Sequence, residues 1–290
     1  MRTLTLTLFL AVNCLFVMAT QQITVTAVGA NKMIYGEAST LAVKYSLLLK
    51  QSYNELVKAG DSTEAYMVEV RLKDSNGKFV KAAKGYGAYS DEQGLASSTF
   101  LLLLSYNVKL YADQMLYLPL ASLDVQEGMQ TLQPVLRVTD KWGRIVMADY
   151  NCAAEVFEIP QRVHLNLAVR TIEVAETNLK NQTWDYKLNP DEEKPEVCWA
   201  LLLGNKRLSL SPYRSNSYQF VDTSGKSDFE FIISKGDIFI INVMDYDLAS
   251  YSDKIGFMKV DMADMQKFSG SNFTSRFGKV LKMDFVVTIL

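Results

Sequence analysis

A single histidine, His164, serves all 290 residues, and no GxSxG elbow, HExxH helix, Gly-rich phosphate loop or CxxC pair occurs in the chain. That scarcity sets aside the histidine-based hydrolases, zinc peptidases, P-loop nucleotidases and dithiol redox enzymes. His164 alternates with Val163, Leu165 and Leu167 in RVHLNLAVR, a strand pattern that turns its imidazole to solvent. Cysteine is also scarce, at three residues. Cys14 falls in the apolar N-terminal stretch, which leaves Cys152 and Cys198, each in an apolar segment. They can form one disulfide or stay two separate buried thiols. Long apolar runs are missing too. The stretch Leu8–Met18 is well short of the roughly 20 residues a helix needs to cross a bilayer, so no transmembrane segment is expected in the mature chain. Nor does either charge dominate, with 30 basic against 32 acidic residues, so no global field draws the chain to nucleic acid. A binding or structural protein is expected, not an enzyme.

The N-terminal segment has the form of an export signal. Arg2 precedes the apolar stretch, and Val17 and Ala19 stand where small residues favour cleavage before Thr20. Residues 1–19 are therefore expected to be a signal peptide, and the mature chain to be secreted, periplasmic or at the cell surface. Asn13 before Cys14 departs from the small residue that lipidation requires.

Beyond that segment, runs of five to eight apolar or alternating residues dominate, separated by turn residues. In the first half, strands are expected at QITVTAV, STLAVKYSLLL, YMVEVRLK, KFVKAAKGYG, ASSTFLLLL, QMLYLPL, TLQPVLRVTD and IVMADYNCAAEVFEI, with turns at Asp74–Gly77 and Asp140–Gly143. A helix ending at Gly60 competes in TLAVKYSLLLKQSYNELVKAG, where strand followed by polar loop is the preferred reading. Pro160 interrupts the pattern, and eight further strands follow: VHLNLAVRTIEVA, EVCWALLLG, KRLSLSP, SYQFVD, DFEFIIS, DIFIINVMDYD, GFMKVDMADM and LKMDFVVTIL. The fold class is thus all-β, with antiparallel β-sandwich domains over residues 20–160 and 163–290.

One stretch carries chemistry. DYDLASYSDKIG leaves the apolar strand IFIINVM and puts Asp245, Asp247 and Asp253 within nine residues. Three carboxylates so close repel one another unless the loop splays into water or a cation joins them. Asp245 and Asp247, two apart at a strand end, share one face, and the following residues let the loop return Asp253 from the other side. Hard oxygen ligands on a flexible loop suit Ca²⁺ better than Mg²⁺ or zinc.

The same residues, with VRTIEVAETNL, KPEVCWALLLG and the run SDFEFIISKGDIFIINVMDYDLASYSDKIGFMKVDM, resemble a C2 domain over residues 163–290. No family is recognised for residues 21–160. The resemblance implies a Ca²⁺ site completed by a first loop, here WDYKLNPDEEKPE, in which Glu196 takes one ligand place and Asp185 or Asp191 the other. Glu196 follows Pro195 where the family has aspartate before proline, and the loop is longer than the family's common form. The resemblance also implies docking to a phospholipid surface or a protein, with Trp184, Tyr186, Leu188 and residues 248–251 at the loop tips and Lys206, Arg207 and Arg214 touching anionic head groups. Two alternatives remain open at this level: an assembly subunit of a cell-envelope complex whose acidic loops stay wet, and a carbohydrate-binding accessory module.

Overall fold

The computed structural model describes residues 23–36, 38–184, 194–204, 206–212, 217–246 and 253–290. Every ladder between its strands is antiparallel, and the strands form four sheets. In the first half, β1 (Ile23–Tyr35), β2 (Ala38–Leu49) and β5 (Leu110–Pro119) make one sheet. The other has the order β4 (Ser97–Leu103), β3 (Ala65–Lys73), β6 (Gly128–Asp140), β7 (Ile145–Asn151), with β8 (Glu155–Ile159) also on β6. In the second half, β9 (Arg162–Val174) carries β12 (Gln219–Val221) and β13 (Asp228–Ser234) along one edge. Along the other it pairs with β17 (Val280–Ile289), which is followed by β16 (Asn272–Phe277). The facing sheet runs β11 (Lys206–Leu210), β10 (Val197–Leu203), β14 (Phe239–Asp245), β15 (Asp253–Val260).

Period-two burial explains these layers. Tyr66, Val68, Val70 and Leu72 face inward on β3, and Phe239, Ile241 and Val243 do so on β14. Burying each such side chain stabilises by about 1.5–3 kcal/mol. Both expected turns are present. Asp74 Oδ1 accepts from the Asn76 and Lys78 N–H groups, and Asp140 Oδ1 from those of Trp142 and Arg144, which is how short acidic side chains hold a tight turn.

Five expectations change. The segment Lys78–Gly87 is no strand: it makes isolated bridges to Lys73, Leu95 and Leu123 and then leaves its sheet for the second sandwich. Ile145–Ile159 is two strands, because Cys152 turns the chain between β7 and β8 with its N–H on the Pro134 carbonyl. The polar stretch after β2 folds into α1 (Tyr53–Lys58), started by the Ser52 N–H on Glu55 Oε2 at 2.8 Å and followed by Gly60 at φ +80°. The expected strand around Met262 is α2 (Met262–Phe268), because Asp261 and Asp264 cap each other's backbone N–H groups and Met262, Met265 and Phe268 recur at helical spacing on the buried side. Finally β16 goes unannounced by its polar sequence. Phe273 holds it to the core, with its ring 4.0 Å from that of Phe268. Cys152 and Cys198 are both free thiols.

Among the described residues no ladder joins the two sandwiches, yet they share one continuous apolar core. The Ser39 N–H donates to Asp237 Oδ1 at 2.9 Å, the Tyr86 hydroxyl to the Ile232 carbonyl at 2.7 Å, and the Arg162 guanidinium to the Leu123 carbonyl at 2.6 Å.

Candidate functional site at the apical loops

Asp245 is the seventh residue of β14, in phase with Phe239, Ile241 and Val243, so strand parity sends its carboxylate inward. It is 1% exposed. Val197, the first residue of β10, pairs with it on one side, and Asp253, the first residue of β15, on the other. Just before β10, the Glu196 N–H donates to Asp245 Oδ1 at 2.6 Å, and the Glu196 carbonyl accepts from the Tyr246 N–H at 2.9 Å. The trailing end of the first acidic segment is therefore bonded to the leading end of the second.

The opposite ends also meet. A cavity of about 130 Å³ is lined by Asn178, Leu179, Lys180 and Trp184 from the run into the first segment, and by Asp253 and Lys254 from the run out of the second. Thus both flanks of residues 185–196 adjoin both flanks of residues 245–253, at one end of the second sandwich. Asp185, Asp191 and Asp247 lie outside the described residues. Of the six candidate ligands, the structure brings Asp245, Asp253 and Glu196 together by backbone register, and Glu196 enters through its main chain. Among the described residues, no three His, Cys, Asp or Glu side chains gather as a metal cluster.

The chemistry next to Asp245 is hard. Cys198 is fully buried, and burial, followed by the Asp245 charge, pushes its thiol pKa up to about 12, so it stays protonated and offers no thiolate. His164 is remote in kind: its ring lies on a sheet face, 2.7 Å from Glu230 Oε1, and Lys84 reaches the same carboxylate at 3.4 Å.

Two expectations about the tips are corrected. Trp184 is 6% exposed, with its indole N–H on the Ala175 carbonyl at 2.9 Å, so it anchors the loop and cannot insert into a lipid surface. Leu179, 56% exposed beside Lys180, is the apolar residue that does face out there. Lys206 is engaged by the first sandwich: its ammonium donates to the Ala88 carbonyl at 3.2 Å and lies 4.2 Å from the Tyr89 ring centre. Tyr186, Leu188, Arg214 and residues 248–251 lie outside the described residues.

Sequence reasoning missed Asp237. It opens the expected strand DIFIINVMDYD with no role assigned to it there, but its carboxylate is fully buried where the sandwiches meet.

Solved structures similar to this chain are C2-domain proteins. BON1-C2B is 16% identical, covers 43% of this chain and 88% of its own, and has a TM-score of 0.26. The calcium-bound tandem of C2 domains from extended-synaptotagmin 2 is 10% identical over 78% of this chain and 97% of its own, with a TM-score of 0.28. The SMP domain of the same protein together with that C2 tandem is 9% identical over 92% and 90%, with a TM-score of 0.30. At such scores the likeness carries no functional weight, and the apical geometry stands on its own hydrogen bonds. No protein-family model and no curated protein matches the chain.

Proposed function

We propose that this is an exported, non-enzymatic binding protein of two β-sandwich units whose second, C2-like unit binds Ca²⁺ at its apical end and uses it to recognise a phospholipid or protein surface. The hydrogen bond between Glu196 and Asp245, with Asp253 beside them in register, carries the reading because it ties two acidic segments that are remote in sequence. The residues fit a hard cation: Asp245 is a buried carboxylate with one oxygen oriented by a backbone N–H, and the neighbouring Cys198 stays a thiol. A bound Ca²⁺ would supply positive charge and open coordination positions for a partner's phosphate or carboxylate. Asp245, Asp253 and residues of the first segment would hold it. Outside the cytosol, a Kd of about 10⁻⁴–10⁻³ M is sufficient for such a module.

Calorimetric titration with CaCl₂ tests this directly. Wild-type protein is expected to show saturable heat and a raised Tm at millimolar Ca²⁺, with Asp253→Asn weakening both at least tenfold. Asp253 is exposed at a strand end, so this change leaves the core intact. Absence of heat and of any thermal shift at several millimolar removes the metal reading. Sedimentation with phosphatidylserine vesicles in Ca²⁺ or EDTA then separates lipid from protein partners.

A second reading, an assembly subunit, draws on β4. Among the described residues it pairs only with β3, and it exposes Phe100, Leu101 and Leu103, an apolar open edge of the kind that accepts a partner chain. Partners bound this way persist in EDTA.

A further inference from the structure

Where the two sandwiches meet lies a cavity of about 270 Å³, just below the roughly 300–1,000 Å³ range of small-molecule sites. Its walls come from both halves: Tyr35, Phe100, Leu116 and Tyr117 from β1, β4 and β5, and Leu203 and Lys206 from the hairpin joining β10 to β11. Tyr35 and Tyr117 stack face to face, with centroids 3.8 Å apart and 1° between planes, forming a flat apolar wall. The Thr40 hydroxyl, also on the lining, is spent on the Ala38 carbonyl at 3.0 Å.

The cation of this lining is unusually placed. The Lys206 ammonium has three N–H donors and makes one hydrogen bond among the described residues, to the Ala88 carbonyl at 3.2 Å, beside the Tyr89 ring. Among the same residues no carboxylate pairs with it. Burial alone lowers its pKa, the response of an ammonium withdrawn from water without a counter-charge. An apolar chamber with one uncompensated ammonium matches a ligand with an unbranched hydrocarbon tail and one anionic head. A carboxylate carries the single negative charge that one ammonium neutralises.

We propose that this cavity binds a free medium-chain carboxylate, its tail between Phe100, Leu116 and the Tyr35–Tyr117 stack and its head on the Lys206 ammonium. The ligand would touch both sandwiches and stabilise their docking. Its site shares no residue with the apical loops, so EDTA leaves it intact, and its failure and that of the Ca²⁺ reading are separate events.

The test is calorimetry on the full chain with hexanoate, octanoate and decanoate, and with decanol as the uncharged control. Affinity is expected to rise roughly fourfold per added methylene, as burial of each CH₂ implies, until the chamber is full. Lys206→Met should cost decanoate at least tenfold and leave decanol unchanged, while Lys206→Arg keeps decanoate binding. Thr99→Trp, at an exposed position on the rim, should block both ligands without disturbing the core. Tm values of each variant without ligand confirm folding. No binding of decanoate by folded wild type, or equal binding of decanoate and decanol that Lys206→Met leaves untouched, overturns the proposal.

Discussion

Asp237→Asn is expected to stabilise the protein at and above neutral pH and to remove most of the decline that the wild type shows as pH rises from 3.8 to about 7. The carboxyl is fully buried between the sandwiches, and burial pushes its pKa up to about 7, against the opposing pull of the Ser39 and Ser234 N–H groups and the Ser234 hydroxyl. Oδ1 accepts from Ser39, whereas Oδ2 and the Ser234 hydroxyl lack partners of good hydrogen-bond geometry. Among the described residues no cation compensates the charge. The nearby Tyr86 phenol stays neutral, its own pKa raised by burial and then by Asp237, and the Arg162 guanidinium donates to the Leu123 carbonyl.

The sign follows from linkage. Below the ordinary value of 3.8, Asp237 is protonated in both states. From there up to about 7, the folded protein keeps a proton that the unfolded chain has released, so raising the pH favours unfolding, and above about 7 the whole penalty remains. A shift of this size is worth on the order of 4 kcal/mol. The acid side has the opposite cause. Asp284, held down to about 2 by Lys282, Thr171 and Thr274 despite burial, and Asp222, depressed by the Ser224 and Ser227 groups around it, contribute stability that is lost as pH falls through their folded values.

Urea midpoints followed by tryptophan fluorescence from about pH 4 to about pH 9 measure this fall and the plateau above it, and an extension to about pH 2 measures the loss due to Asp284 and Asp222. Asparagine keeps the acceptor for Ser39 and cannot ionise. Its curve should lie flat where the wild type falls, and parallel curves would remove the assignment.

How much of this is legible in the sequence depends on how local each signal is. Inward placement of Asp245 follows from parity with Phe239, Ile241 and Val243, and the Asp74 and Asp140 turns follow from their own side chains. Trp184 escapes a local reading because an aromatic residue beside an acidic loop looks the same whether it covers the loop base or tips it; only the Ala175 carbonyl decides. The residues around Met262 fit a strand until the reciprocal caps of Asp261 and Asp264 are weighed. Asp237 and Lys206 look like surface charges in the sequence because what buries them comes from the other half of the chain, a contact no local pattern encodes.

The segment Lys78–Gly87 is the strongest case of that kind, and it yields the other large effect: Gly85→Ala should destabilise the protein by about 2–5 kcal/mol. Gly85 has φ +83°, and a Cβ there would stand 2.5 Å from the Glu230 carbonyl oxygen and 2.6 Å from Phe231 Cβ. Neither can retreat, since Phe231 is fully buried on β13, whose backbone is laddered to β9. Gly77 is the control. Its φ is +76° and nothing lies within 4 Å of the added atom, so Gly77→Ala carries the conformational cost alone, about 1–2 kcal/mol. Equal losses in the two variants would mean that Gly85 matters for its backbone angle and not for the approach of the sandwiches. The clash has a second consequence, because the displaced chain continues through Tyr86 to Ala88 and Tyr89, the groups that hold the Lys206 ammonium. Gly85→Ala should therefore also weaken decanoate binding under conditions where the variant is still folded, whereas Gly77→Ala should not.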